Sequence, residues 1–239
     1  MCGRFTLRTS ADVIAKLFEG LICEGLTFPK LKPRYNICPT QPATCLRQTS
    51  SPVDDTSEQR THEIAGLRWG LIPFWAKDMK SGARMINARS ETVATKPAFR
   101  SAFKSRRCLV IADGFYEWKK VGSQKQPHYI SRRDDQPFCM AGLWESWTDS
   151  SSEEPSIVET CTVLTTEANA TMQPLHDRMP VMLAPEQFEI WLDHQFHDAH
   201  VLQPLMVPQP EGELQTFPVD KMVGKPANDV PECIEPINL

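Results

Sequence analysis

Long apolar runs are missing from this chain. None of its 239 residues fall in a hydrophobic stretch approaching the roughly 18 needed for a membrane-spanning helix. Glycine is scarce, at 11, while proline is plentiful, at 20, a balance that favours short strands and stiff loops over long helices. Neither sign of charge dominates: 26 basic against 30 acidic residues leaves −4, so any site for a polyanion has to be a local patch. The eight cysteines, at 2, 23, 38, 45, 108, 139, 161 and 233, include no C-x-x-C pair, which argues against a zinc knuckle or ribbon. The opening Met1-Cys2-Gly3-Arg4-Phe5 lacks the basic-then-apolar layout of a secretory signal, so reduced thiols and a cytoplasmic location are expected. His194-x-x-His197-x-x-His200 looks like a metal motif, but positions i and i+6 of a helix point about 120° apart. It is read as an exposed helix end, and no metal or cofactor is expected.

What is present points to an α+β domain over residues 1–239, built around mainly antiparallel sheet with a few flanking helices. Cys2–Leu7 reads as a strand. A helix follows, capped by Ser10, carrying Val13, Ile14, Leu17 and Phe18 at helical spacing and ended by Gly20. Further strands are expected at 43–49, 62–72, 106–112, 114–120, 127–132, 137–145 and 157–165. Polar segments near 50–60 and 148–156 read as exposed loops. A second helix opens at Pro185 and carries Phe188, Ile190, Trp191 and Leu192.

Four segments carry candidate chemistry. If Met1 is removed, Cys2 presents an α-amine and a thiol on one residue. Such a 1,2-aminothiol captures an aldehyde twice, first as an imine and then as a five-membered thiazolidine. The free α-amine has a reference pKa of about 7.7–8.0, so a nucleophilic fraction exists at physiological pH. Glu117 sits in Asp113-Gly114-Phe115-Tyr116-Glu117-Trp118, where flanking aromatics would desolvate its carboxyl toward acid/base duty; the plainer reading is an exposed strand glutamate paired with Lys119 or Lys120. His176, followed by Asp177 and Arg178, is a possible proton shuttle or simply a solvated turn histidine. Asn87 and Arg89 would share one face of a strand, an amide beside a guanidinium suited to a phosphate, unless Arg89 merely pairs with Glu91. Lys96, Arg100 and Lys104 recur every four residues, with Arg106 and Arg107 close by. On a helix that is a cationic face, which beside the aromatic run Trp69 to Trp75 would suit single-stranded nucleic acid, or else a solvated helix side with both tryptophans in the core.

Taken together, these segments resemble the SRAP (SOS response-associated peptidase) family. The resemblance runs in order through Met1-Cys2-Gly3-Arg4, Arg34-Tyr35-Asn36-Ile37-Cys38-Pro39, Arg68-Trp69-Gly70-Leu71-Ile72-Pro73, Ile86-Asn87-Ala88-Arg89-Ser90-Glu91-Thr92, Ala112 to Trp118, His176-Asp177-Arg178-Met179-Pro180 and Pro231 to Pro236. It implies a sensor of abasic sites in single-stranded DNA that crosslinks to the lesion and shields it. Cys2 then matches the nucleophile and Asn87 the residue holding the N-terminal amine. Glu117 matches the acid/base glutamate, and His176 the histidine assisting sugar ring opening and Schiff-base chemistry. Arg4 and Arg89 match phosphate-binding arginines, and Pro39, Thr40, Phe74 and Trp75 fall where the family wedges and stacks against DNA. The same resemblance implies removal of the chain's own Met1, an associated lyase-like capacity, and a monomer without a membrane partner. Two alternatives stay open from sequence: a cysteine peptidase or amidohydrolase acting in trans with His176 as base, and a noncatalytic single-strand binder.

Overall fold

The computed structural model describes residues 2–19, 21, 31–48, 62–151, 153–196 and 198–238. The strands in chain order are β1 Phe5–Leu7, β2 Arg34–Ile37, β3 Pro42–Gln48, β4 His62–Trp69, β5 Asn87–Arg89, β6 Arg107–Ala112, β7 Gly114–Val121, β8 Gln124–Arg132, β9 Phe138–Asp149, β10 Ser156–Glu167, β11 Arg178–Pro180, β12 Met182–Leu183 and β13 Leu214–Pro218. The α-helices are α1 Ala11–Lys16, α2 Arg100–Ser105, α3 Phe188–Leu192 and α4 Ala199–Leu202. The expected strands are therefore present, with bounds moved by a few residues. The expected loop at 148–156 is shorter than its polarity suggests, because β9 runs to Asp149 and β10 starts at Ser156. Helix α1 forms, but Ser10 makes no side-chain cap bond. Gly20, Cys23, the loop near 50–60 and His197 lie outside the described residues.

Strands β10, β4, β3, β6 and β9 pair in sequence and β9 pairs back onto β10, closing a barrel. The pairings are antiparallel except where β10 runs parallel to β4 and then to β5. Leu46, Leu67, Leu109, Val110, Met140, Leu143 and Val163 are buried in its core, as the apolar run from Cys108 to Ala112 in β6, buried at every position, leads one to expect. A second sheet, in the order β13-β8-β7-β1-β2, is antiparallel throughout. Strand alternation splits its faces. Phe5, Phe115 and Ile130 join the main core, whereas Tyr116 and Tyr129 pack beneath Val219, Val223 and Cys233. Gly114 is required where β1, β7 and β8 meet, since a Cβ there would stand 2.1 Å from the Tyr129 hydroxyl.

Arg107 departs from its expected place on a cationic surface. It is 2% exposed, and its five N–H donors go to five carbonyls. Phe103 and Lys104 supply two at the end of α2, and Trp191, Asp193 and Phe196 supply three at and beyond the end of α3. One guanidinium thus caps two helix C-termini, where cations are favoured, while burial holds its pKa down to about 10. Its neighbour Arg106 is likewise committed, to Glu145 at 2.8 Å. Arg107→Ala is expected to cost about 3–5 kcal/mol through orphaned carbonyls, a fall of about 10 °C in a thermal melt, with Arg107→Lys intermediate. A melt unchanged in Arg107→Ala would contradict the capping role.

Candidate active site

Cys2 is held rather than frayed. The amide N–H of Tyr116 donates to the Arg4 carbonyl at 3.0 Å, carrying the β1–β7 pairing one step past Phe5↔Phe115 toward the N-terminus. Asn87 Nδ2 donates to the Cys2 carbonyl at 2.7 Å, so β5 clamps the same backbone from the barrel side. The other amide atom, Asn87 Oδ1, is buried with no hydrogen-bond partner among the described residues, an acceptor available beside the terminus. Cys2 has no exposed surface. Burial pushes its thiol well above the ordinary cysteine range, and the nearby Glu117 carboxylate pushes it further.

Glu117 is 3% exposed on β7, so the plain alternative of an exposed strand glutamate is wrong. The source of its desolvation also differs from the expected one. Tyr116 and Trp118 belong to the other face of the sheet, packed with Val219 and Val223, so only Phe115 of the flanking aromatics shares the Glu117 side.

Asn87 and Arg89 do share a face of β5, with Ala88 buried between them. Arg89 is exposed, and the main partner of Glu91 is Arg178, which grips both its oxygens at 2.5 and 3.0 Å and, with a lesser pull from Arg89, holds its carboxyl below the usual range. Arg178 also donates to the Thr165 carbonyl, which accepts from Ser90 N at 2.9 Å. These bonds lock the 87–91 segment to β11 and so fix His176 relative to Asn87. His176 Nδ1 lies 2.9 Å from the Arg178 N–H and 2.7 Å from Asp177 Oδ1. Unprotonated Nδ1 accepts the first; protonated, it donates to the second. Nδ1 therefore has a partner whether or not it carries the ring hydrogen.

The rim follows the expected pattern in part. The turn closed by Ala76 N to Pro73 O, 2.8 Å, presents Phe74 and Trp75, which are 60% and 55% exposed. Trp147 Nε1 anchors that turn through the Ala76 carbonyl at 2.7 Å. Trp69, by contrast, is fully buried, so only the outer part of the aromatic run is available. Pro39 and Thr40 form the β2–β3 turn, with Thr40 at φ 71°, a left-handed conformation unfavourable for a β-branched residue. Trp69 O accepts its N–H and Arg68 donates to its carbonyl, at 2.7 and 2.8 Å, which holds it there. Lys96, Arg100 and Lys104 are all exposed on one side while Phe99, Ala102 and Phe103 are buried on the other. The regular helix starts only at Arg100, and Lys96 joins through its carbonyl accepting from Arg100 N at 2.8 Å.

Arg4 is more committed than its assignment to phosphate implies. Its guanidinium donates to Asn36 Oδ1 and to the carbonyls of Val223 and Gly224, at 2.8, 2.7 and 3.2 Å, leaving fewer N–H groups for a ligand. Two positioning residues escape sequence reading. Buried Asn36 orients Arg4. Buried Asp113 accepts from Thr6 Oγ1 (2.5 Å), Arg8 N (2.6 Å) and Thr9 N (2.9 Å), stapling the N-terminal strand to the start of β7. The Asp-Gly turn signal at 113–114 locates the second without revealing its partners. Contrary to the exposed helix end expected for the histidines, His194 is half-buried in the turn after α3, its Nδ1 2.7 Å from Gln48 Oε1, and His200 lies exposed in α4.

Comparison with known proteins bears directly on this arrangement. The family model described as SOS response associated peptidase (SRAP) matches residues 1–226. The chain is 40% identical over 236 residues to the Bacillus subtilis abasic site processing protein YoqW, covering 98% of this chain and 99% of that one. Abasic site processing protein YoaM, from the same organism, is 39% identical over 241 residues, covering 100% and 99%. A crystal structure of a Bacteroides thetaiotaomicron protein superposes with a TM-score of 0.78 at 25% identity, covering 99% and 100%.

Proposed function

Because the chain belongs to the SOS response associated peptidase family, we propose that it processes abasic sites by capturing them covalently in single-stranded DNA, through Cys2, once Met1 has been removed. The observation that carries this reading is the clamp of Asn87 on the Cys2 carbonyl beside buried Glu117. With Met1 removed, that clamp would hold the Cys2 α-amine, with Glu117 as its proton carrier.

The chemistry follows from the atoms present. An opened abasic sugar exposes a C1 aldehyde. The Cys2 amine adds to it, and the carbinolamine loses its hydroxyl as water when Glu117 supplies a proton, leaving an imine. Sγ then adds to the imine carbon and its proton passes to nitrogen, closing a thiazolidine; one water is lost overall. A fully buried thiol held protonated by burial and by Glu117 is poorly placed to attack first, which supports the amine-first order. The same feature works against the peptidase-in-trans alternative, which needs a thiolate. Asn87 Oδ1 would accept a hydrogen from the amine, and His176 would deliver a proton to the sugar ring oxygen. Arg89, Arg4 and the Lys96, Arg100, Lys104 side would hold phosphates, with Phe74 and Trp75 stacking on bases. The protein is proposed to act as a monomer without metal or cofactor.

The direct test is a denaturing gel with single-stranded DNA bearing one abasic site. A band that survives denaturation is expected; a noncatalytic binder or a trans peptidase gives none. A second measurement reads the rim. Neutralising Lys96, Arg100 and Lys104 together is expected to lower the log–log salt slope of undamaged-strand binding by about 0.7 for each phosphate no longer neutralised. An unchanged slope would return that helix side to mere solvation.

A further inference from the structure

The β7–β8 hairpin carries cations that the chemistry above leaves unused. Lys120 and Lys125 stand directly opposite one another across the antiparallel ladder, and both are exposed. Neither makes a hydrogen bond or ion pair among the described residues. Like charges at directly opposed positions destabilise a sheet, so this pair is a cost to the free protein. A third lysine is brought in from the far end of the chain: Lys221 Nζ lies 2.8 Å from Gln124 Oε1, at the hairpin tip. Of the acids on the covering segment, Glu232 and Glu235 are exposed, while Asp220 and Asp229 are engaged locally. The Asp220 carboxylate accepts from Met222 N, and that of Asp229 from Tyr35 N and Asn36 N while pairing with Arg34.

The position of this cluster is as informative as its charge. By strand alternation Lys120 shares a face with Trp118, and the Arg4 guanidinium lies 6.0 Å from the Trp118 ring. Arg4, Trp118 and Lys120 thus share the face of β7 opposite Glu117, and cationic groups on that face run from Arg4 to the hairpin tip. Four residues of strand separate Glu117 from Val121, a distance of about 14 Å. We propose that Lys120, Lys125 and Lys221 form a distal phosphate track that holds the DNA backbone a few nucleotides from the lesion, on the face of β7 away from Glu117. This rests on the abasic-DNA reading. Continuity with Arg4 and Trp118 favours the backbone of the bound strand over an acidic protein partner.

The test is the triple variant Lys120→Gln, Lys125→Gln, Lys221→Gln, binding undamaged single strands of about four and about sixteen nucleotides across a salt series. On the long strand the log–log slope is expected to fall by about 2, three phosphates at about 0.7 each, and on the short strand to stay as in the unmodified protein. The thermal midpoint should not fall, because a repulsive pair has been removed. An unchanged slope on the long strand would overturn the proposal, as would equal losses on both lengths. Intact DNA binding combined with lost binding of polyglutamate would overturn it in favour of a protein partner. Crosslinking of an abasic strand by the unmodified protein is read separately, and its absence would refute the underlying function whatever the lysines do.

Discussion

Cys2→Ala is expected to bind single-stranded DNA with nearly normal affinity and to form no heat-stable adduct with an abasic site. The backbone clamp survives, since Asn87 grips the Cys2 carbonyl rather than its side chain. The α-amine also persists, so an imine still forms, but without Sγ it hydrolyses back. Borohydride should therefore trap a small residual adduct in the variant. An uncleaved N-terminal tag should abolish both products, because it ties the amine into a peptide bond. Denaturing gels with and without borohydride check all of this, and full heat-stable crosslinking by Cys2→Ala would refute ring closure by the thiol.

Glu117→Gln is expected to slow crosslinking by about 10²–10⁴-fold while leaving DNA affinity nearly intact, the usual magnitude of a lost general acid/base. Glutamine keeps the shape and hydrogen bonding of the side chain but cannot deliver a proton to the departing hydroxyl. In the unmodified protein the rate should rise with pH as the amine deprotonates around its reference value of about 7.7–8.0. No further limb is expected near the ordinary thiol pKa, since burial and Glu117 both move the Cys2 thiol upward. His176→Ala should slow the reaction mainly on intact, ring-closed abasic sites, because its role is at the ring oxygen. Single-turnover crosslinking against pH distinguishes these outcomes. A Glu117→Gln rate equal to that of the unmodified protein from about pH 5 to 9 would remove Glu117 from proton transfer.

Much of the fold and site is legible in residue pattern alone, for identifiable reasons. Runs such as Leu109 to Ala112 are apolar throughout because β6 is buried on both faces inside the barrel, and such runs announce themselves. The alternation of Asn87 and Arg89 around Ala88 correctly places two polar groups together. The same period of two, applied at Glu117, puts Tyr116 and Trp118 on the opposite face, so adjacency in sequence misleads about what desolvates the carboxyl. Arg107 defeats sequence reading because a cation that satisfies five carbonyls leaves no local signal; its partners lie near the ends of two helices, one of them more than eighty residues away. Barrel closure and the pairing of Arg178 with Glu91 are likewise long-range facts that no short window contains.

The central claim is that a thiazolidine joins Cys2 to the lesion, and intact mass of the purified adduct, measured before and after borohydride, tests it most directly. The expected mass is that of the protein without Met1 plus the oligonucleotide less one water, unchanged by borohydride because a thiazolidine has no C=N bond to reduce. An adduct that retains Met1, or one that gains two hydrogens on reduction, would contradict it.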